Sequence, residues 1–268
     1  MNRKIKTVVM AAVCCFFVSC GGSGKRDANR IKVGVESGPE YVVAQAAQKV
    51  AKERFGLEVE LVQFNDYIMP NTALFQKDID LNVFQTRPFL EEQSRRRGYR
   101  FVVVGNTFVY PMAAFSKKIK ALSELKDGST IVVPNDVINE GRALLLLEKA
   151  GLLKLKPGAG YTPRVTDIEK NSRNFKILEL EAPQLPRSLD DDQVALAVIN
   201  NNFAVKAGFF LRDGLIVEDR DSPYVNLIVA REDNHEEEKV KNFVRAYQSE
   251  EVLLTAKREF YEGAIQGW

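Results

Sequence analysis

The apolar positions of the chain follow two periods that take turns along its length, and their order predicts a layered α/β protein. Ile31 to Val35 is a short apolar run that meets the turn sequence Glu36-Ser37-Gly38-Pro39-Glu40. From Tyr41 to Phe55 the apolar side chains Val42, Val43, Ala46, Ala47, Val50 and Ala51 recur at helical spacing, and Gly56 supplies a stop. Leu57 to Phe64 alternates, with Leu57, Val59 and Leu61 against Glu58 and Glu60, which is the period of a half-buried strand. A short helix is expected after Pro70, and Ile79 to Gln85 reads as a third strand. The order strand, helix, strand, helix, strand indicates a mostly parallel sheet covered by helices.

A second unit repeats the theme. Strands are expected in YPMAAFSKKI, TIVVPND, FKILELE, VALAVINNN and YVNLIVAR, with a helix in GRALLLLEKAG. Residues 236–261 form an amphipathic helical stretch. We therefore expect an α/β protein of two lobes, residues 31–108 plus 232–268 and residues 109–231, with crossings near Val109 and Arg231. A single continuous sheet is the competing arrangement.

The extreme N-terminus follows a different pattern. Arg3, Lys4 and Lys6 precede an apolar run from Thr7 to Val18, too short to span a bilayer and suited to a secretory signal. The run ends in Phe17-Val18-Ser19-Cys20 and a Gly/Ser stretch, which resembles a bacterial lipobox. On that reading residues 1–19 are a lipoprotein signal peptide and residues 20–30 a linker behind a lipidated Cys20, whose palmitate-type acyl chains hold the domain at a cell membrane, facing the periplasm or exterior. Phe17 stands where leucine is commonest in such signals, and an ordinary secretory signal is the alternative. All three cysteines (Cys14, Cys15 and Cys20) lie in this segment, so the mature domain has neither disulfide nor thiol chemistry.

Composition removes several classes of function. The chain carries 38 Lys and Arg against 36 Asp and Glu, a net charge of +2, which is no nucleic-acid footprint. The local cluster Arg95-Arg96-Arg97 reads as a solvated helix end, where cations suit the dipole. The single histidine, His235, sits among charges in REDNHEEEK. Triads, zinc sites and imidazole bases thus lack their usual parts, and no phosphate-binding glycine motif is present. No metal or cofactor is expected.

What remains is a set of polar and aromatic residues at strand ends, where open α/β sheets bind ligands. Phe84 lies opposite the aliphatic side of its strand, beside Gln85, Thr86 and Phe89; Asn200 follows an apolar run directly, and Asn226 opens another strand. Arg142 falls near the start of a helix whose next turn is Leu144 to Leu147. A cation there opposes the helix dipole, so either Asp136 or Glu140 neutralises it or a ligand anion does. An arginine for a carboxylate, carbonyl groups for an ammonium and an aromatic slot together describe a free amino acid, and the rings suit a thioether. The contrary class is an exported hydrolase with Asp80 or Asp136 as general base.

The segments DYIMPNTAL, NVFQTRPFL, PNDVINEGRALLLLEKAGLL, AVINNNFAVKAG and SPYVNLIV resemble, in order and spacing, motifs of the NlpA/MetQ methionine-binding lipoproteins. The resemblance runs from about residue 31 to the C-terminus. It implies a type II periplasmic-binding-protein fold with ligand in the cleft between lobes, no enzymatic activity, and a lipid-anchored receptor. Its implied partners are L-methionine or a related amino acid, an ABC importer permease and the importer's ATPase. It also implies that Arg142 clamps the α-carboxylate with Asn139 nearby, and that Asn200 and Asn226 bind the polar end. Tyr67, Phe84, Thr86 and Phe89 would line the side-chain slot, with Tyr110 at the crossover. Thr86 and Phe89 depart from the family's usual histidine and tyrosine, which leaves another apolar amino acid or a methionine-containing dipeptide open as the ligand.

Overall fold

The computed structural model describes residues 29–268. The signal peptide and the lipidated Cys20 expected from the sequence, with all but the last residues of the linker, lie outside the described residues.

Strand β1 (Arg30–Glu36) leads into helix α1 (Pro39–Phe55), which Gly56 ends in the left-handed conformation at φ 63°. That conformation needs no Cβ, so glycine is the residue that stops this helix with least strain. Strand β2 (Glu58–Phe64), helix α2 (Met69–Gln76), strand β3 (Leu81–Thr86), helix α3 (Arg87–Arg97) and strand β4 (Phe101–Val109) follow. The chain then enters a second sheet through β5 (Ala113–Phe115), β6 (Thr130–Pro134), helix α4 (Val137–Lys149), the small hairpin β7 (Lys154–Leu155) and β8 (Ile168–Lys170), and β9 (Lys176–Leu180). Helix α5 (Leu185–Ser188), β10 (Val194–Ile199), α6 (Asn201–Lys206) and β11 (Ile216–Val217) complete that part. Strand β12 (Val225–Arg231), helices α7 (Glu238–Tyr247) and α8 (Glu250–Glu259) and β13 (Ile265–Gln266) close the chain.

Two large sheets result, ordered β13-β4-β12-β3-β1-β2 and β11-β5-β10-β6-β9, beside the two-stranded β7-β8. The single continuous sheet is not what the chain forms. Within each, the strands joined by helices are parallel: β1 with β2 and β3, and β6 with β9 and β10. β12 is antiparallel to both of its neighbours, so the first sheet is mixed. Each sheet carries its own apolar core. One lies under α1, α7 and α8, with Val43, Ala47, Phe243, Tyr247 and Phe260 in it. Two more flank the second sheet, including the α4 leucines Leu144, Leu146 and Leu147.

The topology corrects one expected boundary. β12 lies in the middle of the first sheet, between β4 and β3, and not in the lobe assigned to residues 109–231. The return crossing therefore falls in residues 218–224, ahead of β12, and not near Arg231. An apolar strand pattern reports burial but not which sheet does the burying, so the sequence could not place it. The outward crossing lies at residues 110–112. The C-terminal helical stretch is also two helices, broken where Ser249 adopts an extended conformation before α8.

Candidate functional site

The elements that meet between the lobes bring one set of side chains together. A cavity is lined by Glu40, Tyr67, Phe84, Gln85, Thr86, Phe89, Tyr110, Asn139, Arg142, Asn200, Asn201, Asn202 and Asn226. All nine residues singled out in the sequence are among them. Glu40, Gln85, Asn201 and Asn202 complete the lining.

The aromatic wall comes from the first lobe. Tyr67, Phe84 and Phe89 form a triangle with ring centroids 6.0 Å apart on every side, and Ile138 and Tyr224 pack into the same cluster. Phe84 is presented by β3, every residue of which is buried. A closed amide network holds the end of that strand. Asn71 and Gln85 exchange side-chain hydrogen bonds of 2.8 Å in both directions, and Asn82 donates to Asn71 at 2.9 Å and accepts from Gln85 at 2.9 Å. With every amide partnered, the strand end is rigid rather than frustrated. Thr86 pairs in register with Asn226 of β12, whose amide donates to the Phe108 carbonyl at 3.3 Å.

The polar wall comes from the second lobe and is ordered by a chain of donors. Asp136 is the N-cap of α4 and accepts from the Asn139 backbone N–H at 2.9 Å. The same carboxylate takes the Asn139 amide N–H at 2.9 Å and 3.1 Å, which turns the Asn139 carbonyl oxygen the other way. That oxygen accepts from the Asn200 amide at 2.9 Å. Asn200 is thereby fixed with its own carbonyl oxygen lacking a donor among the described residues. The Asn201 side-chain oxygen and one oxygen of Glu40 are likewise buried without a donor. Two amide acceptors in need of an N–H, and one unpartnered oxygen of Glu40, thus line one cavity.

Two acidic residues of the first lobe, Glu36 and Glu40, are unusual for their depth. Glu36 is 1% exposed and neither of its oxygens has a hydrogen-bond partner among the described residues. Burial, with the nearby charges of Glu40 and Asp66, pushes its carboxyl up to about 9, against a smaller opposing effect of Lys206. Burial raises Glu40 to about 8, partly offset by a hydrogen bond from the Asn202 side chain. In sequence the only hints are position, Glu36 at the end of an apolar strand and Glu40 in the first turn of a helix.

Arg142 requires two corrections. Helix α4 begins at Val137, so Arg142 lies in the second turn and the N-terminal dipole is answered by Asp136. Nor does the guanidinium lack an internal counter-charge. Its Nε donates to Glu218 at 2.8 Å, its Nη2 donates to the second oxygen of Glu218 and also to the Tyr110 carbonyl at 3.0 Å, and it stacks over Tyr224 at 4.3 Å. The two acids near it in sequence serve elsewhere: Glu140 is paired with Arg164 at 2.7 Å, and Asp136 caps the helix. The partner stands seventy-odd positions downstream, where local pattern gives no signal. Even so, Arg142 lines the cavity, and its Nη1 hydrogens make no hydrogen bond among the described residues.

The residues suggested as hydrolytic bases do not fit that role. Asp80 lies outside the cavity near Arg231 and Lys239, each at 3.7 Å, and Asp136 is committed to its helix cap. His235 is on a surface turn, against the Glu232 carbonyl at 2.9 Å. No cluster of side chains able to hold a metal occurs among the described residues, and none of their helices is long and apolar enough to cross a membrane.

Two α/β lobes, joined by two crossings around a cavity with one charged and one aromatic wall, make a substrate-binding protein of the periplasmic type. Solved structures share this architecture over most of their length. That of the methionine-binding protein MetQ is 60% identical with a TM-score of 0.89, covering 90% of this chain and 99% of that one. A nutrient-binding protein from Burkholderia cenocepacia bound to methionine is 45% identical with a TM-score of 0.86, covering 89% and 100%. The D-methionine-binding lipoprotein MetQ of Escherichia coli (strain K12) is 59% identical over 252 residues, or 94% of this chain and 93% of the relative. The NlpA lipoprotein family model matches residues 31–268. The chain belongs to the NlpA lipoprotein family.

Proposed function

We propose that this protein is the substrate receptor of an ABC importer, that it binds methionine, of either hand, or a closely related amino acid without transforming it, and that Cys20 carries its lipid anchor. The observation that carries the reading is the division of unmet polar groups inside one cavity. Arg142, whose Nη1 hydrogens are unbonded among the described residues, is on one element, and the unpartnered oxygens of Glu40, Asn200 and Asn201 are on others. An α-amino acid supplies the complement, a carboxylate for the guanidinium and an ammonium for the acceptors. Asn139 and Asn226 frame the same polar end. The Tyr67, Phe84 and Phe89 rings suit a thioether, whose sulfur gains roughly 0.3–1.5 kcal/mol beside an aromatic edge.

The relatives' names support the ligand class. Thr86 and Phe89 in this wall are the positions where related apolar amino acids would be discriminated. Delivery requires a permease and its ATPase, and lipidation would keep the loaded receptor at the membrane surface. Mass spectrometry of the small molecules released by denaturing freshly purified protein tests the reading. Methionine or a near relative in about equimolar amount is expected; a consistently different class of compound would refute it.

A further inference from the structure

The anchors of Arg142 share a location. Tyr110 belongs to the outward crossing between the lobes, and Glu218 and Tyr224 belong to the return crossing. Glu218 also ties the two crossings to each other. Its backbone N–H donates to the Met112 carbonyl at 2.9 Å, and its carboxylate accepts from the Met112 N–H at 3.1 Å. The carboxylate that grips Arg142 is therefore itself held by backbone, in continuation of the β5–β11 ladder.

An arginine has five N–H donors in one plane. The Nε–H and one Nη2–H go to Glu218, and the other Nη2–H goes to Tyr110. Two remain, both on Nη1, in a residue that lines the cavity. Rotation about the last side-chain bonds would cost the bidentate pair and the Tyr224 stack together. The side chain is thus held in one pose, with both Nη1 hydrogens left without a partner among the described residues.

We propose that Glu218 is a positioning residue of the ligand-carboxylate site, fixing Arg142 so that its Nη1 donors meet the ligand and coupling that contact to the interlobe crossings. This rests on the reading of the cavity as an amino-acid site. Two effects of Glu218 oppose each other, and their signs separate the explanations. As a charge, Glu218 partly neutralises Arg142, so removing it would strengthen binding of a carboxylate. As a support, it supplies orientation, so removing it weakens binding. For metal ligands, groups that orient the binding residue from behind are typically worth about 10- to 100-fold in affinity, and a loss on that scale is expected here.

The test compares L-methionine with L-methioninamide, which keeps the ammonium and the thioether and lacks the carboxylate charge. Calorimetric affinities are measured for the wild type, Glu218→Gln and Glu218→Asp, with the melting temperature of each unliganded protein. We expect Glu218→Gln to lose about tenfold or more for methionine and little for the amide, narrowing the ratio between them. Glu218→Asp keeps the charge but shortens the reach, and should narrow the ratio as well; it carries the test if the glutamine variant folds poorly. Tighter methionine binding, no change, or an equal loss for both ligands would overturn the proposal. Failure of the wild type to bind methionine would instead defeat the ligand assignment itself.

Discussion

The Tyr67 hydroxyl donates a 2.8 Å hydrogen bond to the Asn202 side-chain oxygen, and the two residues belong to different lobes. Tyr67 precedes α2 in the first lobe and belongs to the aromatic triangle; Asn202 is in α6 of the second and also bonds Glu40. The bond spans the cleft inside the binding cavity. Nearby, Lys206 donates to Ser37 at 2.6 Å and Asn65 at 3.1 Å, and Asn201 donates to the Gly263 carbonyl at 3.2 Å. These contacts belong to the state in which the lobes are together, so they add to ligand affinity through the free energy of closure.

Tyr67→Phe should therefore weaken methionine binding by about 0.5–1.5 kcal/mol, the net value of one neutral hydrogen bond, without removing the ring from the slot. Calorimetric titration against the wild type checks it. An unchanged affinity would mean that the hydroxyl contributes nothing to closure.

Glu40 lines the cavity with its carboxyl raised to about 8, so at neutral pH the empty site holds it largely protonated. An ammonium arriving beside it favours the charged form and lowers that value. Binding then expels a proton, and affinity should rise with pH up to about 8. Titrations in buffers of different ionisation enthalpy measure the proton directly. Zero release, or proton uptake, would show that Glu40 does not face the ammonium.

Glu36 predicts the opposite trend for the unliganded fold. Its carboxyl ionises near 4.5 when unfolded and near 9 when folded. Between those values the folded chain binds more protons, so stability falls as pH rises. The contribution is complete below about 4.5 and lost as pH climbs through about 9. Glu36→Gln should flatten this slope, melting higher than the wild type at alkaline pH and close to it in acid. Parallel melting curves across the range would contradict the assignment.

Much of this was legible in the chain because the signals are local. The alternation of Glu58 to Phe64 and the helical spacing of Tyr41 to Phe55 each fix an element without help from the rest. The site residues were found where strands stop: Phe84 and Thr86 on β3, Asn200 after β10, Asn226 on β12. What escaped depends on distant partners. Nothing near Glu218 announces that it will grip Arg142, and nothing in YVNLIVAR tells that β12 joins the first sheet. Glu36 and Glu40 give no such signal, because a glutamate beside a turn ordinarily faces water, and here both are buried.

The central claim is that the cavity receives an amino acid through the free donors of Arg142. Calorimetric titration of ligand-free protein with L-methionine, run in parallel on the wild type and Arg142→Ala, tests it most directly. Saturable one-to-one binding by the wild type is expected, with a loss of roughly 2–5 kcal/mol in the variant, the scale for truncating one partner of a buried charged pair. Equal affinities in the two proteins, or no binding by a correctly folded wild type, would contradict it.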